Sequence, residues 1–183
     1  MSAWRLPTSV IVGEKTLSVR SDFRAVLDAL AALQDPALEP ENQIAAFLTI
    51  FYPELPLETD IEKAFAAAMK FVDCGREPEK TVTDRPRLVN WEQDADLIAP
   101  AVDEVLGYSC RRCPYLHWWE FVGAYQNIGD GLFAQVIGIR KKRAEGRPLT
   151  KEEQSFLQNN RRLIGDDVAL TDAEKEFLKE LGV

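Results

Sequence analysis

Three side chains within one short stretch carry the sharpest chemistry in the sequence: Cys110 and Cys113 of a Cys-Arg-Arg-Cys run, then His117, with Cys74 as the remaining cysteine. Together they make a Cys3His donor set of the kind that holds structural zinc, because thiolate sulfur and imidazole nitrogen both suit a tetrahedral ion. Such sites usually present their ligands as two close pairs, whereas here Cys74 has to arrive across a long loop. The same Cys-x-x-Cys spacing serves thiol–disulfide exchange when it sits between a strand and a helix of a βαβ unit, a setting this sequence lacks. Cysteine is also a common buried small hydrophobe, which is the plainer reading.

His117 is the only histidine. Nucleophilic catalysis needs a nucleophile and an orienting acid brought to it, and neither a Gly-x-Ser-x-Gly elbow nor a catalytic-cysteine signature is present. The expected role is a packed histidine whose ring nitrogen bonds a backbone carbonyl, in a chain that is not an enzyme. Glu92, Asp94, Asp96, Asp103 and Glu104 could suggest a carboxylate metal site. Asp94 and Asp96 face different sides of a helix, however, and acids near a helix start favour the positive end of its dipole, so a solvated face is expected. Gly129, Gly131 and Gly138 lack the preceding strand and the lysine-hydroxyl pair of a phosphate loop. No cofactor is expected, and no metal beyond the zinc alternative at Cys74, Cys110, Cys113 and His117.

These residues have to be placed by helices. On helical spacing Tyr115, Trp118, Trp119, Val122 and Tyr125 share one broad apolar face, with Phe121 beside it, so this run is the expected structural core. Adjacent tryptophans point about 100° apart on a helix, so burying both calls for packing on more than one side. Ser9 to Arg20 reads as the only β element, a hairpin turning at Gly13-Glu14-Lys15, which must lie on the helices or pair with another chain. Amphipathic helices follow at Phe23 to Leu33, Glu41 to Phe51 and Ile61 to Val72, the last ending at Gly75. Residues 76–90 are polar, carry Pro78 and Pro86, and read as a loop or mobile linker. Trp91, Ala95, Ile98, Val102 and Val105 continue at helical steps. Pro100 either lies in the first turn of that helix or kinks a longer one.

After Gly129-Asp130-Gly131 another helix turns basic at Arg140, Lys141, Lys142 and Arg143, a candidate contact patch. Cations there also complement the negative end of the helix dipole, and no aromatic residues interleave to stack bases. Leu149-Thr150-Lys151-Glu152-Glu153 and Leu170-Thr171-Asp172-Ala173-Glu174 each open a helix with a capping box. The expected fold is mainly α: a compact multi-helix domain over 1–147 with a small N-terminal β-hairpin, and a C-terminal helical pair over 148–183. The net charge of −8 disfavours nucleic acid, no stretch is apolar enough for a membrane span, and three cysteines fit a reducing cytoplasm.

Trp91-Glu92-Gln93-Asp94-Ala95-Asp96-Leu97-Ile98, the Gly107-Tyr108 turn, and Leu116-His117-Trp118-Trp119-Glu120-Phe121 leading to Ile137-Gly138-Ile139-Arg140 resemble the bacteriophage "gene product fifteen" family of phages and prophages. The hairpin running into Asp22-Phe23-Arg24 fits as well, and the cysteines lie outside the pattern. The resemblance implies a product of the tail-morphogenesis region, and by extension a tail assembly chaperone that binds the helical tape-measure protein while tail-tube subunits assemble. It carries no catalytic or binding residues that transfer. A structural tail or connector protein that stays in the virion is the alternative, and a zinc-stabilised regulatory or nucleic-acid-binding module is another. Self-association fits the open hairpin.

Overall fold

The computed structural model describes residues 4–76 and 88–165, and it is mainly α with a small N-terminal hairpin. In order the elements are β1 (Ser9–Val12), β2 (Lys15–Ser18), α1 (Phe23–Ala32), α2 (Pro40–Phe51), α3 (Ile61–Val72), α4 (Ala95–Leu106), α5 (Trp118–Gln126), α6 (Leu132–Ala144), α7 (Lys151–Asn159) and α8 (Arg161–Ile164). Most of the expected 76–90 linker and the second capping box at 170–174 fall outside the described residues.

Packing divides the chain into two units, Met1–Arg85 with Trp91–Ile128, and Pro86–Asn90 with Gly129–Val183. The division falls at Gly129 rather than at 147/148, because α6 packs with α8 and buries Phe133, Val136 and Ile139 in the unit that also buries Ile164. Thr150 caps α7 in that unit through the expected box: its hydroxyl accepts from the Glu153 amide, while the Glu153 carboxylate accepts from the Thr150 amide.

In the first unit β1 and β2 pair antiparallel across a tight turn at Gly13, whose φ of 62° is the left-handed region that favours glycine. Val12, Leu17 and Val19 turn inward and are buried, while Ile11 is left 64% exposed. β1 packs on α3, and α1 packs on both α2 and α5. Aromatic rings carry the core from helix to helix. Phe23 of α1 stacks on Phe121 of α5 at 4.5 Å, Phe51 of α2 meets Phe71 of α3 edge-on at 5.5 Å, and Phe71 reaches Trp119 of α5 at 5.8 Å. Tyr52, also buried, donates its hydroxyl to the Ala64 carbonyl of α3.

Of the two alternatives for Pro100, the longer helix is the one present: the proline lies inside α4, beyond its first turn and on the exposed side. One expectation changes here. Tyr115 does not share the apolar face of α5. The helix begins only at Trp118, and the stretch before it is extended because it pairs with the chain around Asp22. Tyr115 is therefore half-exposed, with its hydroxyl 2.8 Å from Ser21 Oγ.

The C-terminal end of α2 shows how the hairpin is fixed to the helices. A helix leaves its last carbonyls without intrahelical donors. At α2 one residue supplies them: the Arg20 amide donates to the Phe51 carbonyl, and its guanidinium donates to those of Thr49, Ile50 and Tyr52. The positive charge also faces the negative end of the α2 dipole. Replacing Arg20 with Ala is expected to cost about 1–3 kcal/mol, since charged hydrogen bonds are lost and their carbonyl acceptors are left unpaired. Urea unfolding checks this as a lower midpoint with an unchanged slope.

Candidate interaction surface

The start of α5 is held by reciprocal contacts with the start of α1. The Phe23 amide donates to the Leu116 carbonyl at 2.9 Å, and the Trp118 amide donates to the Ser21 carbonyl at 2.7 Å. Asp22 caps α1 by accepting from the Arg24 amide through Oδ1, while its Oδ2 accepts from the Leu116 amide. His117 is the counterpart cap on α5. Its Nδ1 accepts from the Trp119 amide at 3.0 Å, and its Nε2 lies 2.9 Å from the Pro7 carbonyl, which can only accept. The proton therefore sits on Nε2. The ring is buried, and both nitrogens are engaged by backbone groups.

One step along α5, the paired indoles close the end of α3. Trp118 Nε1 donates to the Val72 carbonyl and Trp119 Nε1 to the Phe71 carbonyl, both at 2.8 Å. These are the last two carbonyls of α3; that of Phe71 also accepts from the Cys74 amide, so Trp119 adds a second donor there while Trp118 supplies one at Val72, and both rings fill volume. The chain then turns away through Cys74 and Gly75, with φ of 56° and 77°. A Cβ at Gly75 would lie 3.3 Å from Trp119 Cη2, so both conformation and contact favour glycine. Trp118 and Phe121 are buried, while Trp119, Val122 and Tyr125 are only half-buried.

The Cys-x-x-Cys forms a turn between α4 and α5. Arg24 binds it: Nη2 donates to the Cys110 carbonyl at 2.8 Å and to the Cys113 carbonyl at 2.7 Å. The Cys110 amide donates to Asp103 Oδ1, and the Cys113 thiol donates to the Cys110 carbonyl. Burial and the neighbouring Asp103 carboxylate push the Cys110 thiol up to about 12, and burial also raises Cys74. Burial alone would raise Asp103, but its hydrogen bonds from Cys110 and Ser109 outweigh that and hold it below the usual carboxylate value. Thiols held protonated are poor zinc ligands and poor nucleophiles. Among the described residues, no three or more His, Cys, Asp or Glu side chains are grouped to hold a metal, so Cys74, Cys110, Cys113 and His117 are not brought together.

Two concavities flank Trp91, whose ring contacts Trp118, Phe121 and Tyr125 at 6.2, 6.1 and 4.8 Å. The larger, about 630 Å³, has an apolar lining that includes Leu30, Val72, Trp118, Val122 and Tyr125, with Asp73 and Arg76 supplying opposite charges. The smaller, about 220 Å³, lies against Phe23, Leu27, Ile98 and Phe121, with Arg24 and Arg111 as its cations. Arg111 pairs with Asp96 at 2.9 Å.

The basic run is partly consumed by the second unit's own backbone. Arg140 donates to the carbonyls of Leu88, Leu163 and Ile164, closing the end of α8, and Lys142 pairs with Glu153 at 2.6 Å. Lys141 and Arg143 are exposed. Sequence reasoning missed Arg20 and Arg24, because a lone arginine beside a strand or in a first helical turn reads as surface charge. It also missed the indole donors, because spacing reports which face is apolar and not where an N–H points.

The family model described as Bacteriophage Gp15 protein matches residues 4–164. No curated protein and no solved structure matches the chain. Among the described residues no helix is long and apolar enough to cross a membrane.

Two outcomes test this geometry. Trp118→Phe keeps most of the ring but leaves the Val72 carbonyl without its indole donor, so a loss of about 1–3 kcal/mol is expected in urea unfolding followed by circular dichroism. Cys110 and Tyr52, the latter also pushed up to about 12 by burial, are both raised above their ordinary values of 9.0 and 10.0. From about pH 9 the unfolded chain binds fewer protons than the folded one, so stability present below that pH is lost as pH rises toward 12. Cys110→Ala is expected to flatten the first part of this loss, which cannot exceed about 1.4 kcal/mol per pH unit for one group. Denaturation midpoints measured from pH 7 to 11 decide it.

Proposed function

The chain belongs to the bacteriophage Gp15 protein family, and from that premise we propose that it acts in phage tail morphogenesis, as an assembly chaperone for the tape-measure protein. The observation that carries this reading is the groove of about 630 Å³ along α5, walled by half-buried Val122 and Tyr125 and floored by Trp118. A groove between amphipathic helices accepts the apolar face of another helix. A tape-measure protein is long and helical, and it exposes such faces until tail-tube subunits enclose it. In this role the protein binds reversibly through apolar contact, without a chemical step, in the host cytoplasm. Asp73 and Arg76 at the groove set register without committing it to a partner of one charge.

Co-expression tests the proposal. The long helical open reading frame downstream of the major tail gene is expected to yield soluble product with this chain present and aggregated product without it. Val122→Asp places a charge in the groove on a half-buried position, so it is expected to abolish rescue while leaving the helical circular dichroism signal intact. Unchanged insolubility in the presence of the native chain overturns the chaperone reading. Stoichiometric recovery of the protein in purified virions overturns it in favour of a structural tail or connector component.

A further inference from the structure

The turn between α4 and α5 carries a chemistry independent of the groove. Ser109 to Cys113 close one turn of helical hydrogen bonding, in which the amides of Arg112 and Cys113 donate to the Ser109 carbonyl at 3.2 and 3.1 Å. Residues three apart on such a turn share a face, with Cβ atoms about 5–6 Å apart. Cys110 and Cys113 are therefore neighbours. The Cys113 thiol, donating to the Cys110 carbonyl at 3.0 Å, is turned back towards that partner.

The two thiols are not alike. Cys110 is 1% exposed and lies against the Asp103 carboxylate. Cys113 is only half-buried, and Arg24 Nη2 lies 3.8 Å from its sulfur. Sulfur reacts as the thiolate, which a guanidinium beside it favours and an apolar surrounding opposes. Cys74 is also half-buried, but there burial outweighs the nearby Arg76 and raises the thiol. Arg112, exposed next to Cys113, adds a second cation to the approach, which suits an anionic reagent.

We propose that Cys113 and Cys110 form a thiol–disulfide exchange site, which an anionic small-molecule disulfide such as glutathione disulfide closes into an intramolecular bond. The Cys113 thiolate, having given its proton to water, attacks one sulfur of the reagent. The reagent's S–S bond breaks, a mixed disulfide forms, and one glutathione leaves and takes up a proton. Cys110 then loses its proton, with Asp103 as the acceptor beside it, and attacks the Cys113 sulfur, so the mixed disulfide breaks and the second glutathione leaves with a proton. Two protein thiols are oxidised by two electrons, and one glutathione disulfide is reduced to two thiols.

The pair lacks the βαβ setting of exchange catalysts, so its product is a lock on its own turn. A disulfide holds its Cβ atoms about 3.5–4.5 Å apart, so closing it tightens the turn by about one to two ångströms. A bond strained in this way is readily reduced, which makes the lock reversible, and in a reducing compartment it stays open. The tightening acts on the two carbonyls that Arg24 Nη2 binds and on Cys110, which lines the smaller hollow. The redox state of the turn thereby reaches that surface.

Mass spectrometry of the full chain, folded in glutathione disulfide at about pH 8, then alkylated and digested with trypsin, tests this. Trypsin cuts after Arg111 and Arg112, so the peptides carrying Cys110 and Cys113 separate unless a disulfide joins them. They are expected to stay joined, lighter by two hydrogen atoms, with Cys74 alkylated. In the untreated folded chain, iodoacetamide is expected to modify Cys113 about tenfold or more faster than Cys74. Cys110→Ser is expected to trap the mixed disulfide at Cys113, and Cys113→Ser to leave Cys110 unmodified with the helical circular dichroism signal intact. Because Cys110 is held protonated, the second step is expected to quicken by up to about tenfold per pH unit as pH rises above neutral. If either variant does not fold, the joined peptides and the alkylation rates of the native chain still decide. Peptides that separate throughout overturn the proposal. So does a native chain in which the mixed disulfide persists, in which Cys74 reacts as fast as Cys113, or in which Cys113 bonds only to another chain.

Discussion

Short helices leave a large fraction of their carbonyls without intrahelical donors, and closing those ends is the constraint on which the packing depends. The helices of the first unit run from nine to twelve residues. The end of α2 is closed by Arg20, the end of α3 by the two indoles of α5, and in the second unit the end of α8 by Arg140. Each donor comes from an element distant in sequence. Local amides close part of each end, as those of Asp73, Cys74 and Gly75 do at α3, and the tertiary donors complete it, which couples local helix formation to assembly of the core.

The same logic explains why α5 sits at the centre of its unit. Its first residues do three jobs within a single turn. His117 caps the helix, Trp118 and Trp119 close α3, and the extended residues just before them pair with the start of α1. Two adjacent tryptophans on a helix diverge by about 100°, an awkward arrangement for a helix packed on one side only. It suits a helix whose indole N–H groups must reach two successive carbonyls of a neighbour. The polar tip of each ring thus finds a partner while its body packs against Phe71 or Phe121.

Much of this was legible from residues alone. The hairpin, the amphipathic helices, the capping box at Thr150 and the anchoring role of Trp118 and Phe121 follow from periodicity and end signals, and the structure has them in those places. Tyr115 falls on the apolar face only if helical spacing extends back through residues that are in fact extended; the pairing with Asp22 responsible for that is non-local and leaves no periodic trace. Arg24 was invisible for a similar reason. Its role depends on the carbonyls of Cys110 and Cys113, nearly ninety residues away, and carbonyls have no residue type. The division at Gly129 was likewise hidden, because Arg140 reads as a surface cation until its acceptors at Leu88, Leu163 and Ile164 are known.

The use of polar groups also shapes what the surface can offer. Around α5 the imidazole, both indole N–H groups and the guanidinium of Arg24 are all committed to backbone atoms, and the Cys110 thiol is held protonated. Groups fixed in this way rigidify the walls and leave apolar side chains facing the concavities on either side of Trp91. Rigid apolar walls bind with less ordering cost than mobile ones, so in the proposed role the internal bonding that stabilises the fold would also lower the cost of seating a partner helix. In that role specificity would have to come from shape and from the few charges at the rims, Asp73 and Arg76 on one side and Arg24 and Arg111 on the other. Arg24 cannot be released from its carbonyls without loosening the turn that supports α5, so contact at the smaller hollow is mechanically linked to the core in a way that contact at Arg76 is not.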